Sequence, residues 1–188
     1  AIREGKRPDG SVIGAPMPIE LYNRMADNDV KAIVAYLRTV KPVKNVVKKS
    51  TYRIPLHAEK PAGQVGDVPR SDPVKYGEYL AGPVGHCVEC HTPRVKGRVD
   101  FAGQLGRGGE PFPGPWGMSV SRNITPHPDD GLGKWTDAQI RKAITDGVRP
   151  DGSKLKPPMA FGLYKTVTDA DMKAILAYLR SLKPLASK

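Results

Sequence analysis

Gly85-His86-Cys87-Val88-Glu89-Cys90-His91-Thr92-Pro93-Arg94 holds the only two cysteines of the chain, three residues apart and followed at once by a histidine. A CxxCH run is the attachment signature of c-type haem. Two thiols on one helical turn reach neighbouring edges of a planar macrocycle, and the next side chain points at its centre. On this reading Cys87 and Cys90 form thioethers to the two vinyl groups and His91 ligates the iron. A redox dithiol or half of a zinc site shares the CxxC spacing. Zinc needs further thiol or imidazole ligands at matched spacing, and no second cysteine pair exists.

The totals set bounds around this motif. A chain of 188 residues suits one good domain or two small ones, and 39% hydrophobic with 6% aromatic residues permits a packed core without making it rich. A covalently held porphyrin adds a large apolar body to such a core. Lys+Arg outnumber Asp+Glu by 30 to 19, a net charge of +11, which favours acidic partners or an anionic membrane surface. Nucleic acid is not expected, because the basic residues are spread along the chain and no binding motif accompanies them. Both cysteines belong to the haem motif, so none is left for a structural disulfide. No apolar run approaches the ~18 residues of a membrane-spanning helix. The chain starts at Ala1 without an initiator methionine or a signal-like segment, and reads as a processed product or a fragment whose export is inferred from the haem.

A second signal is an internal repeat. Residues 1–42 align without a gap to residues 143–184, at an offset of 142 (143 − 1), with 23 of 42 positions identical. Arg7-Pro8-Asp9-Gly10-Ser11 matches Arg149-Pro150-Asp151-Gly152-Ser153, Pro16-Met17 matches Pro158-Met159, and Ala35-Tyr36-Leu37-Arg38 matches Ala177-Tyr178-Leu179-Arg180. The last third of each copy reads as a helix. Thr168 caps one, Met172, Ile175, Leu176, Leu179 and Leu182 recur at helical spacing, and Pro184 stops it; Asp27 and Asp29 open the other, with Val30, Ile33, Val34 and Leu37 as its stripe. In the complete copy the CxxCH lies 56 residues before Ala143 (143 − 87), so its counterpart for the first copy falls upstream of Ala1. Residues 1–42 therefore read as the rear part of a preceding domain of the same kind.

Residues 43–71 read as a basic, proline-punctuated linker, and residues 72–188 as the haem domain. Val74 to Ala81 reads as a short helix broken at Gly82-Pro83, and the Gly/Pro-rich passage from Gly97 to Gly117 as loop wrapping the cofactor. Gly106-Arg107-Gly108-Gly109 lacks the GK[ST] ending and preceding strand of a phosphate loop. Thr136 with Gln139 opens a further helix that Gly147 is placed to end.

The iron's second ligand decides between electron carrier and catalyst, since a thioether raises the potential and closes the sixth site. Candidates are Met118, Met159, Met172, His57, His86 and His127. Met172 belongs to an apolar stripe, His86 adjoins Cys87 and does not readily reach the opposite face, and His57 and His127 read as ordinary exposed histidines. Met118, in a loop after Pro115-Trp116-Gly117, is a rival. The repeat favours Met159, because a domain duplicated with its cofactor keeps its ligand and Met17 holds the matching place. Met17 is then the candidate ligand of a second haem associated with residues 1–42.

With these residues in hand, the chain resembles class I cytochromes c, and more narrowly the multihaem cytochrome subunits of bacterial membrane-associated dehydrogenases of the alcohol and gluconate type. The likeness rests on His86 to Arg94, Asn123-Ile124-Thr125-Pro126, Gly131-Leu132-Gly133-Lys134-Trp135, Gly147 to Gly152 and Pro158-Met159. The resemblance implies an all-α domain in which an N-terminal helix crosses a C-terminal one, Gly77 and Tyr79 meeting the face of Leu176, Tyr178 and Leu179. It implies haem c with His/Met ligation, Arg94, Asn123 and Trp135 orienting the haem or its propionates, and a periplasmic location with peripheral membrane association. It further implies single-electron transfer from a dehydrogenase toward quinone or a terminal oxidase, and the positive charge of the chain predicts partners with an acidic docking face. A haem peroxidase, a thiosulfate-oxidising cytochrome or a haem gas sensor is the alternative, each needing an open or displaceable sixth ligand.

Overall fold

The computed structural model describes residues 1–52, 56 and 58–187, and His57 lies outside them. The chain divides into two compact units, Ala1–Val68 and Pro69–Lys188.

In the second unit, helix α3 (Pro73–Tyr79) starts from the cap of Asp72, whose carboxylate accepts from the Lys75 backbone N–H at 3.1 Å. It runs on into a π-helical turn, Leu80–Val84, with Pro83 inside it. Proline has no N–H to give, and the wider turn carries the chain past it: Gly85 N–H reaches the Leu80 carbonyl at 2.7 Å and His86 N–H the Gly82 carbonyl at 3.0 Å. Helix α4 is the single turn Cys87–Cys90. Helix α5 (Asp137–Asp146) begins with a complete capping box between Thr136 and Gln139 and ends at Gly147, which takes φ +67°. A one-turn helix α6 (Phe161–Tyr164) precedes α7 (Asp169–Ser181), whose cap Thr168 accepts from Asp171 N–H at 3.2 Å.

The core is the crossing of α3 on α7. Met172, Ala174, Ile175, Leu176, Tyr178 and Leu179 are all buried there, with Gly77 and Tyr79 on the α3 side. A Cβ at Gly77 would lie 1.9 Å from the Ala174 carbonyl oxygen, so the crossing distance is one that only glycine permits. Arg180, near the end of α7, reaches across to the Leu132 carbonyl at 2.9 Å and pairs with Asp137 at 2.9 Å, joining α7 to the start of α5.

The helical domain also carries short strands. Arg94–Val95 (β1) pairs with Arg98–Val99 (β2) around Lys96 and Gly97, both at positive φ, and Pro111–Gly114 (β3) pairs with Gly117–Val120 (β4). Part of the passage read as loop is thus a hairpin. Its prolines mask the alternation, and its turn closes where the Trp116 ring folds over Gly114, at which a Cβ would come within 2.4 Å of the indole.

The first unit repeats the rear of the second in three dimensions. Helix α1 (Ile19–Tyr22) corresponds to α6 and α2 (Asp27–Thr39) to α7, each at the offset of 142. The bridges Lys6–Val12 and Val148–Lys154, the Arg7–Ser11 and Arg149–Ser153 hydrogen bonds, and the cis bonds Ala15–Pro16 and Pro157–Pro158 obey the same offset. Burial does not. Tyr36 and Leu37 are 69% and 55% exposed, whereas their counterparts Tyr178 and Leu179 are 6% and 4%. Among the described residues no helix packs along α2 as α3 packs on α7. The later part of the segment read as a linker runs against this unit: Asp27 N–H donates to the Val65 carbonyl at 2.9 Å, and Asn23 Nδ2 to the Lys60 carbonyl at 2.9 Å.

Gly77→Ala should cost about 3 kcal/mol of stability in the second unit, read by guanidinium unfolding, because α3 must lift from α7 to admit the methyl group. Asp72 adds a pH dependence. The Lys75 N–H holds its carboxyl below the ordinary value, so this stabilisation is present above the unfolded carboxylate pKa and is lost as pH falls through the folded one. Asp72→Ala should lower the melting temperature at pH 7, and the difference from the parent should close as pH falls toward 3.

Candidate haem site

The π turn delivers the chain to His86, which adopts left-handed φ +55° and ψ +19°. That single reversed residue redirects the backbone so that α4 starts at Cys87. Thiols three apart on one turn share a face, and the imidazole follows at its end. Both thiols are half-buried and no disulfide joins them. Burial pushes the Cys87 thiol up to about 11 and raises Cys90 as well, so both are neutral at pH 7 and unlike the low-pKa pair of a redox dithiol. Among the described residues no group of three or more His, Cys, Asp and Glu could hold a metal ion.

His91 has a defined tautomer. Its Nδ1 lies 2.6 Å from the Arg122 carbonyl oxygen, which can only accept, so Nδ1 carries the proton and Nε2 keeps its lone pair. Burial holds the ring below the ordinary histidine pKa, against the opposing effect of that carbonyl, and the imidazole is therefore neutral at pH 7. A neutral ring whose far nitrogen donates to a backbone carbonyl is the arrangement of a ligating histidine.

The glycine-rich stretch holds that carbonyl in place. Gly108 N–H donates to the His91 carbonyl at 2.7 Å and Gly106 N–H to Thr92 Oγ1 at 3.0 Å. Gly108 sits at φ +75°, and a Cβ there would lie 2.5 Å from the Arg122 carbonyl carbon, so only glycine lets the His91 and Arg122 segments meet. Gly109 N–H to the Ser121 carbonyl and Ser121 N–H to the Glu110 carbonyl continue the pairing.

The remaining sequence-derived residues fall in different places. Arg94 pairs with Glu110 at 3.2 Å and lies 3.7 Å from Glu89, beside the attachment turn. Asn123 is committed elsewhere: its Oδ1 accepts from Thr125 N–H and Oγ1, and its Nδ2 donates to the Leu185 carbonyl at 2.6 Å. It fastens the segment that presents Arg122 to the C-terminal tail. Trp135 is half-buried, and its backbone carbonyl accepts from Arg180. Met159 is half-buried between the cis bond Pro157–Pro158 and α6. Met17, in the first unit, follows the matching cis bond. Met118 stands on β4 with 58% exposure, and Met172 is buried at 1% in the α3–α7 core. His127 Nδ1 accepts from Asp129 N–H and Asp130 N–H and organises its own turn.

Three contributors escaped sequence reading. Arg122 acts through its carbonyl, which no side-chain motif announces, and Gly108 through a close approach between distant segments. Tyr164 donates to the Gly85 carbonyl at 2.8 Å, and burial beside Cys87 and Cys90 raises its hydroxyl pKa. Its one sequence signal was the matching Tyr22 (164 − 142) in the repeat.

The profile of the cytochrome c family matches residues 76–183. The chain belongs to the cytochrome c family. It is 33% identical to the cytochrome c subunit of an alcohol dehydrogenase (quinone) of Gluconobacter oxydans, over 97% of this chain and 42% of that protein. It is 31% identical to a fructose dehydrogenase cytochrome subunit of Gluconobacter japonicus, over 97% and 40%, and 30% identical to a diheme cytochrome c-type protein of Cereibacter sphaeroides, over 96% and 62%. The chain thus spans about two fifths of the length of the two dehydrogenase subunits. As a cytochrome c it carries covalently bound haem c. Two neutral thiols on one turn and an imidazole with its Nε2 lone pair intact fit that group.

Gly108→Ala should destabilise the second unit by about 3 kcal/mol, since it combines a backbone clash with a left-handed φ. NMR should show the His91 Nδ1 proton signal shifted or lost.

Proposed function

We propose that this cytochrome c transfers single electrons through a haem bound by Cys87 and Cys90 and ligated by His91 and Met159. Bound haem supplies an iron that alternates between ferrous and ferric states. The protein's part is to hold, orient and enclose. The Arg122 carbonyl fixes the plane and tautomer of His91 and raises the basicity of its Nε2. Arg94, held by Glu110, stands at the attachment turn, where a guanidinium can meet a propionate. Asn123 and Trp135 act on the pocket through the backbone segments they brace. The observation that carries this reading is the 2.6 Å contact from His91 Nδ1 to Arg122, which leaves one ring nitrogen of the CxxCH histidine committed and the other available.

Residues 1–42 form the rear of a second domain of this kind, with Met17 in the place of Met159, and residues 43–71 connect it to the complete domain at 72–188. The support is a repeat that extends from sequence to hydrogen bonds, bridges and helix limits. The chain works as an electron-transfer subunit rather than the catalytic one, accepting electrons from a bacterial periplasmic dehydrogenase and passing them toward quinone or a terminal oxidase. Its net charge of +11 suits an acidic docking face and an anionic membrane surface. The membrane association proposed is peripheral and rests on that charge; among the described residues no helix is long and apolar enough to cross a membrane.

Met159→Ala tests the ligand. The variant should keep its haem by intact mass, lose the thioether–iron charge-transfer band of the ferric spectrum, and bind carbon monoxide when reduced. A retained band would transfer the assignment to another methionine, Met118 first.

A further inference from the structure

Met159 lies on a short segment with two visible anchors. At one, the ring of Phe161 packs over Gly147, where a Cβ would meet it at 2.9 Å, tying the start of α6 to the end of α5. At the other, Tyr164 closes α6 and its hydroxyl crosses to the Gly85 carbonyl at 2.8 Å, linking residues 79 positions apart. The intervening Leu163 is 75% exposed and contributes little packing.

The acceptor is well chosen. Gly85 belongs to a turn already bonded to the Leu80 carbonyl, and it stands two residues ahead of the first attachment thiol. The Cys87 S–H also points at this carbonyl, at 3.9 Å. Addition of that thiol across a haem vinyl group would form the S–C bond, move the hydrogen to the other vinyl carbon and so remove this donor. Tyr164 is then the side chain still donating to Gly85.

We propose that Tyr164 is a positioning residue that latches the Met159 segment to the haem-attachment turn through its bond to Gly85. This rests on Met159 being the sixth ligand. The latch joins the segment that carries Met159 to the turn that carries the attachment thiols and His91, so it would resist an excursion of α6 that withdraws the thioether. The repeat keeps a tyrosine five residues after the methionine in both copies, Met17 with Tyr22 and Met159 with Tyr164.

The test compares the haem-loaded parent, Tyr164→Phe, and Ile175→Val as a core variant of similar thermal destabilisation. Exogenous imidazole is titrated against the ferric protein while the charge-transfer band is followed. Tyr164→Phe should bind imidazole about fivefold more tightly, the factor that loss of one such hydrogen bond supplies, with intact mass unchanged. Ile175→Val should bind it as the parent does. Equal affinity in Tyr164→Phe and parent overturns the latch, as does an equal gain in Ile175→Val. A parent that lacks the band, or a Met159→Ala variant that keeps it, overturns the Met159 assignment instead, so those two spectra tell the two failures apart.

Discussion

The missing side chain of Gly77 sets the distance on which the haem domain depends. With no Cβ to hold them apart, α3 rests on the Ala174 carbonyl of α7, and every other relation in the domain inherits that spacing. From α3 the chain enters the π turn and α4, which carry both thiols and His91. Into α7 it arrives from α6 and Met159. The crossing therefore governs the gap between the attachment turn and the Met159 segment. Apolar burial along α7, from Met172 to Leu179, holds the crossing closed, and Arg180 extends it to the start of α5.

Around that frame the pocket is organised mostly by backbone. His91 is oriented by a carbonyl, the glycine-rich stretch is threaded through amide contacts, and Asn123 ties its segment to the C-terminal tail. Peptide groups suit such a task because their positions are set by the fold and carry no rotamer freedom. An imidazole held in one tautomer before it meets iron needs no reorganisation when it does. The same economy explains Gly108, where a side chain of any size would separate His91 from Arg122.

The two copies of the repeat isolate the effect of tertiary context on one sequence. Helix α2 and helix α7 have the same limits and nearly the same stripe, yet Tyr178 and Leu179 are core while Tyr36 and Leu37 are surface. Amphipathicity specifies a helix and the face it offers. It does not supply the helix that covers that face, which in the second unit is α3.

Local chemistry was legible in the residues themselves. The attachment turn, the Thr136–Gln139 box, the Thr168 cap and the Gly147 stop involve neighbours within four residues, and the sequence by itself determined them. The repeat was equally plain and nominated Met159. Where pairing is non-local, composition misled: the β3–β4 hairpin hid behind prolines and glycines, and the bonds of Asn123 to Thr125 and the C-terminal tail had no local signal. The Arg122 carbonyl over His91, the glycines that permit close approach at 77 and 108, and the Tyr164 bond to Gly85 were decided only by the tertiary structure. Each depends on the distance between segments far apart in the chain, and no local pattern encodes that distance.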